Sequence, residues 1–146
     1  MKKVLLASVA LLIGGMIYVL WRSQSLLMFC WFDTLGIGQL VETLREIASP
    51  YSHAFPHWIY FSLPQALWLF SGILFFYYIW RNGSTVSYIL WTAVFVTIAF
   101  GFELGQFLNV VPGYCEVWDV LSLVVACLSA WAVVGFTSHR ERRIQA

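Results

Sequence analysis

Charge is what this sequence has least of. Lysine, arginine, aspartate and glutamate make up 10% of its 146 residues, eight basic against seven acidic, where a soluble domain carries about 25%. A chain with so little polar surface, 61% of it hydrophobic, cannot cover a water-facing globule, so its expected solvent is the bilayer. The formal net charge of +1 and the lack of a basic patch give no reason to expect nucleic acid. Cysteine is also scarce: three, widely spaced, which is not a disulfide framework. Gly-x-Ser-x-Gly, a phosphate loop and His-Glu-x-x-His are all absent, and no cofactor is expected. His53 and His57 with Cys115, Glu116 and Asp119 lack a metal-ligand spacing, and Pro56 interrupts any helix that would carry both histidines, so no metal site is expected either.

Against these absences stand eight tryptophans and seven tyrosines, clustered at the ends of apolar runs as interfacial anchors are. Four runs are near the ~20 residues that a membrane span requires, at about 4–21, 58–80, 88–108 and 117–136. The first follows Lys2 and Lys3 as a signal peptide would, but "SQS" at 23–25 is a poor cleavage site, and the run is read as a retained span. Without repeats, low-complexity segments or linkers, residues 1–146 form one integral membrane domain. With four spans, Lys2, Lys3, Arg81, Arg140, Arg142 and Arg143 fall on one side, and only Arg22 and Arg45 on the other. The bias of basic residues places both termini in the cytoplasm.

The outer loop at 22–57 is patterned. Ile37, Leu40, Val41, Leu44 and Ile47 recur at helical spacing, with Gln39, Glu42, Thr43 and Glu46 on the other face. This predicts an amphipathic surface helix over 37–48, closed by Pro50, with "SLLMFCWF" at 25–32 dipping into the interface beside it. The fold class is therefore an all-α membrane protein of four transmembrane helices and one surface helix in the first outer loop.

The polar residues of the spans gather at one level. Glu103 and Gln106 share a helical face near the end of span three, together with Thr92 and Ala99. The opposite side carries Ala93, Thr97, Gly101 and Gly105, a ladder of small residues that lets another helix approach. With two protein-facing sides, span three is expected at the centre of the bundle. The ladder is expected to pack within the chain, the alternative being a seam with a second copy through Gly101 and Gly105. Asp119, Ser122, Ala126 and Ala130 form a stripe on span four, and Pro112-Gly113 joins spans three and four as antiparallel neighbours. Glu116 sits at the turn. Span two adds Ser62 and Gln65, and Pro64 frees the carbonyl of Tyr60. The candidate ligand-binding cluster is thus Glu103, Gln106, Asp119, Glu116, Gln65 and Ser122, in the outer leaflet. Intramembrane ionisable groups mark functional sites by default; the bland alternative is a hydrogen-bonded tie between spans three and four.

Glu103-x-x-Gln106, the Pro112-Gly113 turn, and Glu116 three residues before Asp119 resemble the VanZ-like group of small multi-span bacterial membrane proteins. "SLPQALWLF" at 62–70 is similar to a leucine-proline-x-x-leucine-tryptophan pattern in bacterial membrane proteins with the same acidic hairpin. The resemblance covers mainly residues 99–130. The group's arginine, asparagine and glycine positions are Tyr114, Leu123 and Ala126 here. The resemblance implies a protein of the bacterial cell envelope, in the inner (cytoplasmic) membrane, with a link to lipoglycopeptide antibiotic tolerance, and no established chemistry.

Three functions fit these residues. A non-enzymatic protein could bind an amphiphile, such as a lipid-linked glycan precursor or a lipopeptide antibiotic, in an outer-leaflet polar groove. An anionic phosphate would suit that groove only if Arg22 or Arg45 folds over it. An accessory or immunity subunit could bind another membrane protein through the small-residue ladder. An intramembrane acid–base enzyme could use Glu103 and Asp119, but no nucleophile accompanies them. A proton-coupled transporter would need more than four spans or an oligomer.

Overall fold

A computed structural model describes residues 2–145. In chain order the helices are α1 (Lys2–Trp21), α2 (Leu27–Thr34), α3 (Gly38–Ala48), a 3-10 turn (Ser49–His53), α4 (His57–Phe61), α5 (Leu63–Trp80), α6 (Thr85–Phe107) and α7 (Val117–Gln145), with no strand among the described residues. Lys3–Trp21, Leu63–Trp80, Thr85–Phe107 and Val117–Gly135 are each long and apolar enough to cross a membrane. Outward-facing Leu5, Leu12, Ile79, Ile89 and Leu128 are all more than half exposed, a surface that in water would drive association. Four such helices indicate a multi-pass membrane protein.

The second span starts later than its apolar run. Pro64 has no N–H to give to the carbonyl of Tyr60 and is tolerated only in a first helical turn. The chain accordingly breaks at Ser62: residues 57–61 form the separate turn α4, and α5 begins with Pro64 in its opening positions.

The centre of the bundle is α5, which corrects the expectation that span three holds that place. Leu69, Ile73 and Leu74 of α5 are fully buried. On one side α1 packs closely, with Trp68 and the Pro64 carbonyl 3.0–3.1 Å from where a Cβ of Gly14 would lie. The Ser71 hydroxyl is 2.9 Å from the Ala7 carbonyl of α1 and 2.7 Å from that of Leu67. On another side α5 meets Leu123, Ala126 and Ala130 of α7, all buried. On the third, the ring of Phe95 from α6 occupies the space above Gly72, where a Cβ would collide with it.

That last contact explains why α6 is peripheral. The close-approach site is on α5, at Gly72, and α6 fills it with an aromatic from the side that also carries its two buried residues, Thr92 and Glu103. The ladder of small residues therefore faces away. Ala93, Thr97 and Gly101 are exposed, and a Cβ on Gly101 would meet nothing within 4 Å. The expectation that this ladder packs within the chain is overturned; only Gly105 has a near neighbour, Val111 of the following loop.

The surface helix is present as α3. Val41 is buried, while Leu40, Leu44 and Ile47 remain exposed on its apolar face, as expected of a helix with one face for lipid. Pro50 does not end the helical path but turns it into the 3-10 segment. Arg45 ties α3 to the end of α1: its guanidinium donates to the Val19 carbonyl and, at 2.7 Å, to the Arg22 carbonyl. These are orphan carbonyls of a helix C-terminus, which cationic side chains satisfy well. At the far end of the bundle Lys3 lies 3.9 Å over the Tyr77 ring and Arg81 5.2 Å over that of Tyr78. Arg22 and Arg45 thus sit at the end opposite Lys3 and Arg81. The side chains of Arg140, Arg142 and Arg143 lie outside the described residues.

Candidate functional site

The site is made by two helix ends and the loop between them. α6 ends at Leu108, followed by Asn109 in the left-handed region with φ 57°. Asn109 N–H donates to the Gln106 carbonyl at 3.0 Å and Val110 N–H to the Gly105 carbonyl at 2.9 Å, the pairing of a Schellman motif, in which asparagine is the usual alternative to glycine. The chain then returns across the end of α6. Gly113, at φ 134°, lies against the Gln106 amide, which sits 2.7 Å from where its Cβ would be. A side chain there would be strained and would displace Gln106.

α7 begins with Asp119 in its first turn. The Asp119 Oδ2 accepts from the Glu116 N–H at 2.8 Å, and the Asp119 N–H donates back to the Glu116 carbonyl at 3.0 Å. This is the acidic half of a capping box. Asp119, 9% exposed, therefore has a structural task through Oδ2.

Glu103 is buried more deeply, at 3% exposure, and is less well served. Gln65 of α5 donates to its Oε1 at 2.8 Å. Its Oε2 is enclosed and makes no hydrogen bond. The Cys115 thiol also reaches the Glu103 carboxyl, as a side-chain hydrogen-bond partner. Burial and the carboxyls of Glu103 and Asp119 push that thiol above its ordinary pKa, and a neutral thiol is a weak donor.

Glu103, Gln106, Gln65, Glu116 and Asp119 line one cavity of about 320 Å³, within the roughly 300–1,000 Å³ of small-molecule sites. Ser122 does not join them. Its hydroxyl donates to the Asp119 carbonyl at 2.8 Å, and it faces a separate apolar groove of about 480 Å³ between α5 and α7. The stripe of span four is real, but one turn of helix carries Ser122 past the cavity.

Two residues that spacing alone left outside the cluster belong to the cavity, Arg22 and His57. Arg22 Nη2 donates to the Phe61 carbonyl at 3.3 Å, one of the carbonyls exposed by the break before α5. Its guanidinium lies 5.2 Å from the Tyr18 ring and 4.8 Å from the Phe61 ring, and its Nε is enclosed without a partner. His57 stacks on Phe61 at 4.0 Å. The available signal was that Arg22 closes span one at the depth of Glu103. Its direction of turn depends on Arg45, which takes the α1 carbonyls and leaves the Arg22 side chain to the cavity.

The polar cavity lies against an apolar one. A groove of about 400 Å³ between α1, α5 and α6 shares Arg22, Phe61, Gln65, Glu103 and Gln106 with it and continues along Trp68, Phe95, Ile98 and Phe102. The arrangement has a charged, hydrogen-bonding head and an aromatic and aliphatic tail. Among the described residues no group of three or more His, Cys, Asp or Glu is placed to hold a metal ion; the His53 side chain lies outside them. Compared with protein-family models, curated proteins and solved structures, the chain matches none of them.

Proposed function

We propose that the chain is a non-enzymatic integral membrane protein of the bacterial cell envelope that binds an amphiphile at the outer leaflet. The observation that carries this is that the Glu103 cavity lies against the apolar groove along α6 and shares five lining residues with it. A headgroup would occupy the first and an acyl or prenyl chain the second. A lipid-linked glycan precursor and a lipopeptide antibiotic both have that form. Arg22 in the cavity wall supplies the cation that an anionic headgroup needs. The resemblance of the acidic hairpin to the VanZ-like group supports a place in the envelope. The division of Arg22 and Arg45 from Lys3 and Arg81 supports cytoplasmic termini.

An acid–base enzyme is less well supported, because Asp119 is already engaged as a cap. A specific observation favours a second reading, that of an accessory or immunity subunit: the open ladder of Ala93, Thr97 and Gly101 is shaped for a partner helix.

The test is native mass spectrometry of the detergent-purified chain beside Ile98→Trp. Ile98 lines the groove and is half exposed, so the larger ring fills the tail path with little effect on packing. We expect the wild type to carry a bound amphiphile and the variant to lose most of it. Equal retention by the two proteins would sink the proposal.

A further inference from the structure

The two walls of the cavity each carry a side chain with one enclosed, unpartnered polar atom, a carboxyl oxygen on one and a guanidinium nitrogen on the other. On α6, Glu103 Oε1 is held by Gln65 and Oε2 is enclosed without a geometric hydrogen bond, only the weakly donating Cys115 thiol standing beside the carboxyl. At the end of α1, Arg22 Nε is enclosed with no acceptor, while Nη2 is fixed on the Phe61 carbonyl. Both residues line the polar cavity and the mouth of the apolar groove. Gln65 and Gln106 add neutral amides between them. No ion pair joins Glu103 to Arg22 directly; each is held back by its own anchor.

Leaving a buried donor or acceptor unpaired costs the full desolvation of that group, and more for a charged one. A ligand that completes this cavity must therefore bring a donor to Glu103 and an acceptor to Arg22. A sugar hydroxyl can do either, but it brings no charge to set against a guanidinium or a carboxylate in an apolar setting. A headgroup that carries a cation with N–H bonds and an anion a few atoms away compensates both. A quaternary ammonium fails at Glu103, because it has no N–H. A purely anionic headgroup fails there too, since it brings like charge.

Resting on the amphiphile reading above, we infer that the preferred ligand is a zwitterionic amphiphile. Its primary ammonium meets Glu103, its phosphate or carboxylate meets Arg22, and its chain lies along Trp68, Phe95 and Phe102. Phosphatidylethanolamine has this chemistry, and so does an acylated, lysine-bearing peptide.

The experiment titrates the full chain in detergent with dioleoyl phosphatidylethanolamine, phosphatidylcholine and phosphatidylglycerol. Bound adducts are counted by native mass spectrometry. Phosphatidylethanolamine is expected to bind at least tenfold more tightly than the other two. A parallel arm with N-palmitoyl-lysine, which has ammonium and carboxylate but no phosphate, tells the two sources apart by which zwitterion binds more tightly. Glu103→Gln should erase the preference over phosphatidylglycerol, because an amide accepts a hydrogen bond without countering the ammonium charge. Arg22→Gln should weaken all three phospholipids, which share the phosphate. Equal binding of the three by the wild type, or a preference that survives in Glu103→Gln, overturns the headgroup assignment and leaves amphiphile binding standing. Adducts that never saturate, or that persist in Ile98→Trp, overturn the amphiphile reading itself. Should either cavity variant fail to fold, the wild-type ranking alone decides.

Discussion

Glu103 and Asp119 are buried carboxyls at the same end of the bundle, in the wall of one cavity, yet they stand in opposite relations to the helices that carry them. Asp119 is in the first turn of α7, where the helix dipole is positive and backbone N–H groups need acceptors. It accepts from the Glu116 N–H. Glu103 is one turn from the end of α6, where the dipole is negative and the unpaired backbone groups are carbonyls. A carboxylate there is opposed by the dipole, by burial and by the shortage of donors. Folding explains the first residue. It does not explain the second, which is why the proposed site is centred on Glu103.

The comparison can be broken most directly at Asp119. Asp119→Ala removes the cap and should cost about 1 kcal/mol, within the roughly 0.5–2 kcal/mol seen for lost caps. Asp119→Asn, which keeps an acceptor, should cost much less. Thermal unfolding in detergent reads both; an Ala variant as stable as the wild type would remove the structural account of this residue.

A smaller effect of opposite sign is expected at Glu103. Glu103→Gln retains an acceptor for Gln65 and relieves the unfavourable dipole, worth about 0.3–1 kcal/mol for an exposed charge. Its unfolding midpoint should equal or exceed that of the wild type. A loss as large as that of Asp119→Ala would mean that both carboxyls are structural.

The smallest effect concerns Cys115, which reports the field of both carboxyls. Its pKa is raised by burial, then by Glu103 and Asp119, so less thiolate is present at a given pH and alkylation slows. Maleimide at pH 8 should label exposed Cys30 faster than Cys115, and Glu103→Gln should narrow the gap. The sign for stability follows. Folding holds the neutral thiol, so this contribution is full below the ordinary thiol pKa and is lost as pH rises beyond it. Unchanged Cys115 labelling in Glu103→Gln would separate the thiol from the carboxyl.

Much of this was legible in the sequence, for definite reasons. Four spans follow from run length alone, and α3 from the 3.6-residue period of Leu40, Val41, Leu44 and Ile47. Glu103 and Gln106 share a face by spacing, and the Pro112-Gly113 turn places them near Asp119. What was not legible depended on which neighbour each face meets. The ladder of Ala93, Thr97 and Gly101 marks a face suited to close contact, but not whether α5 prefers it to Phe95. Ser122 shares a stripe with Asp119, but a stripe does not reveal where the cavity wall ends. The split of the second apolar run at Ser62 was implicit in Pro64, yet hydropathy alone runs through it. Arg22 was named as a residue able to fold over the groove; its place in the wall depends on Arg45, 23 residues away along the chain.

That pairing of arginines has a mechanical side. Arg45 grips the main chain of Val19 and Arg22, and Arg22 in turn grips the carbonyl of Phe61. Surface helix, first span and the break before α5 are linked hand to hand. A tilt of α3, whose Leu44 and Ile47 are exposed, would pull on the residue that forms one wall of the cavity. A force on the exposed Leu44 and Ile47 face of α3 would therefore reach the mouth of the site through main-chain contacts, without any change in the cavity's own side chains.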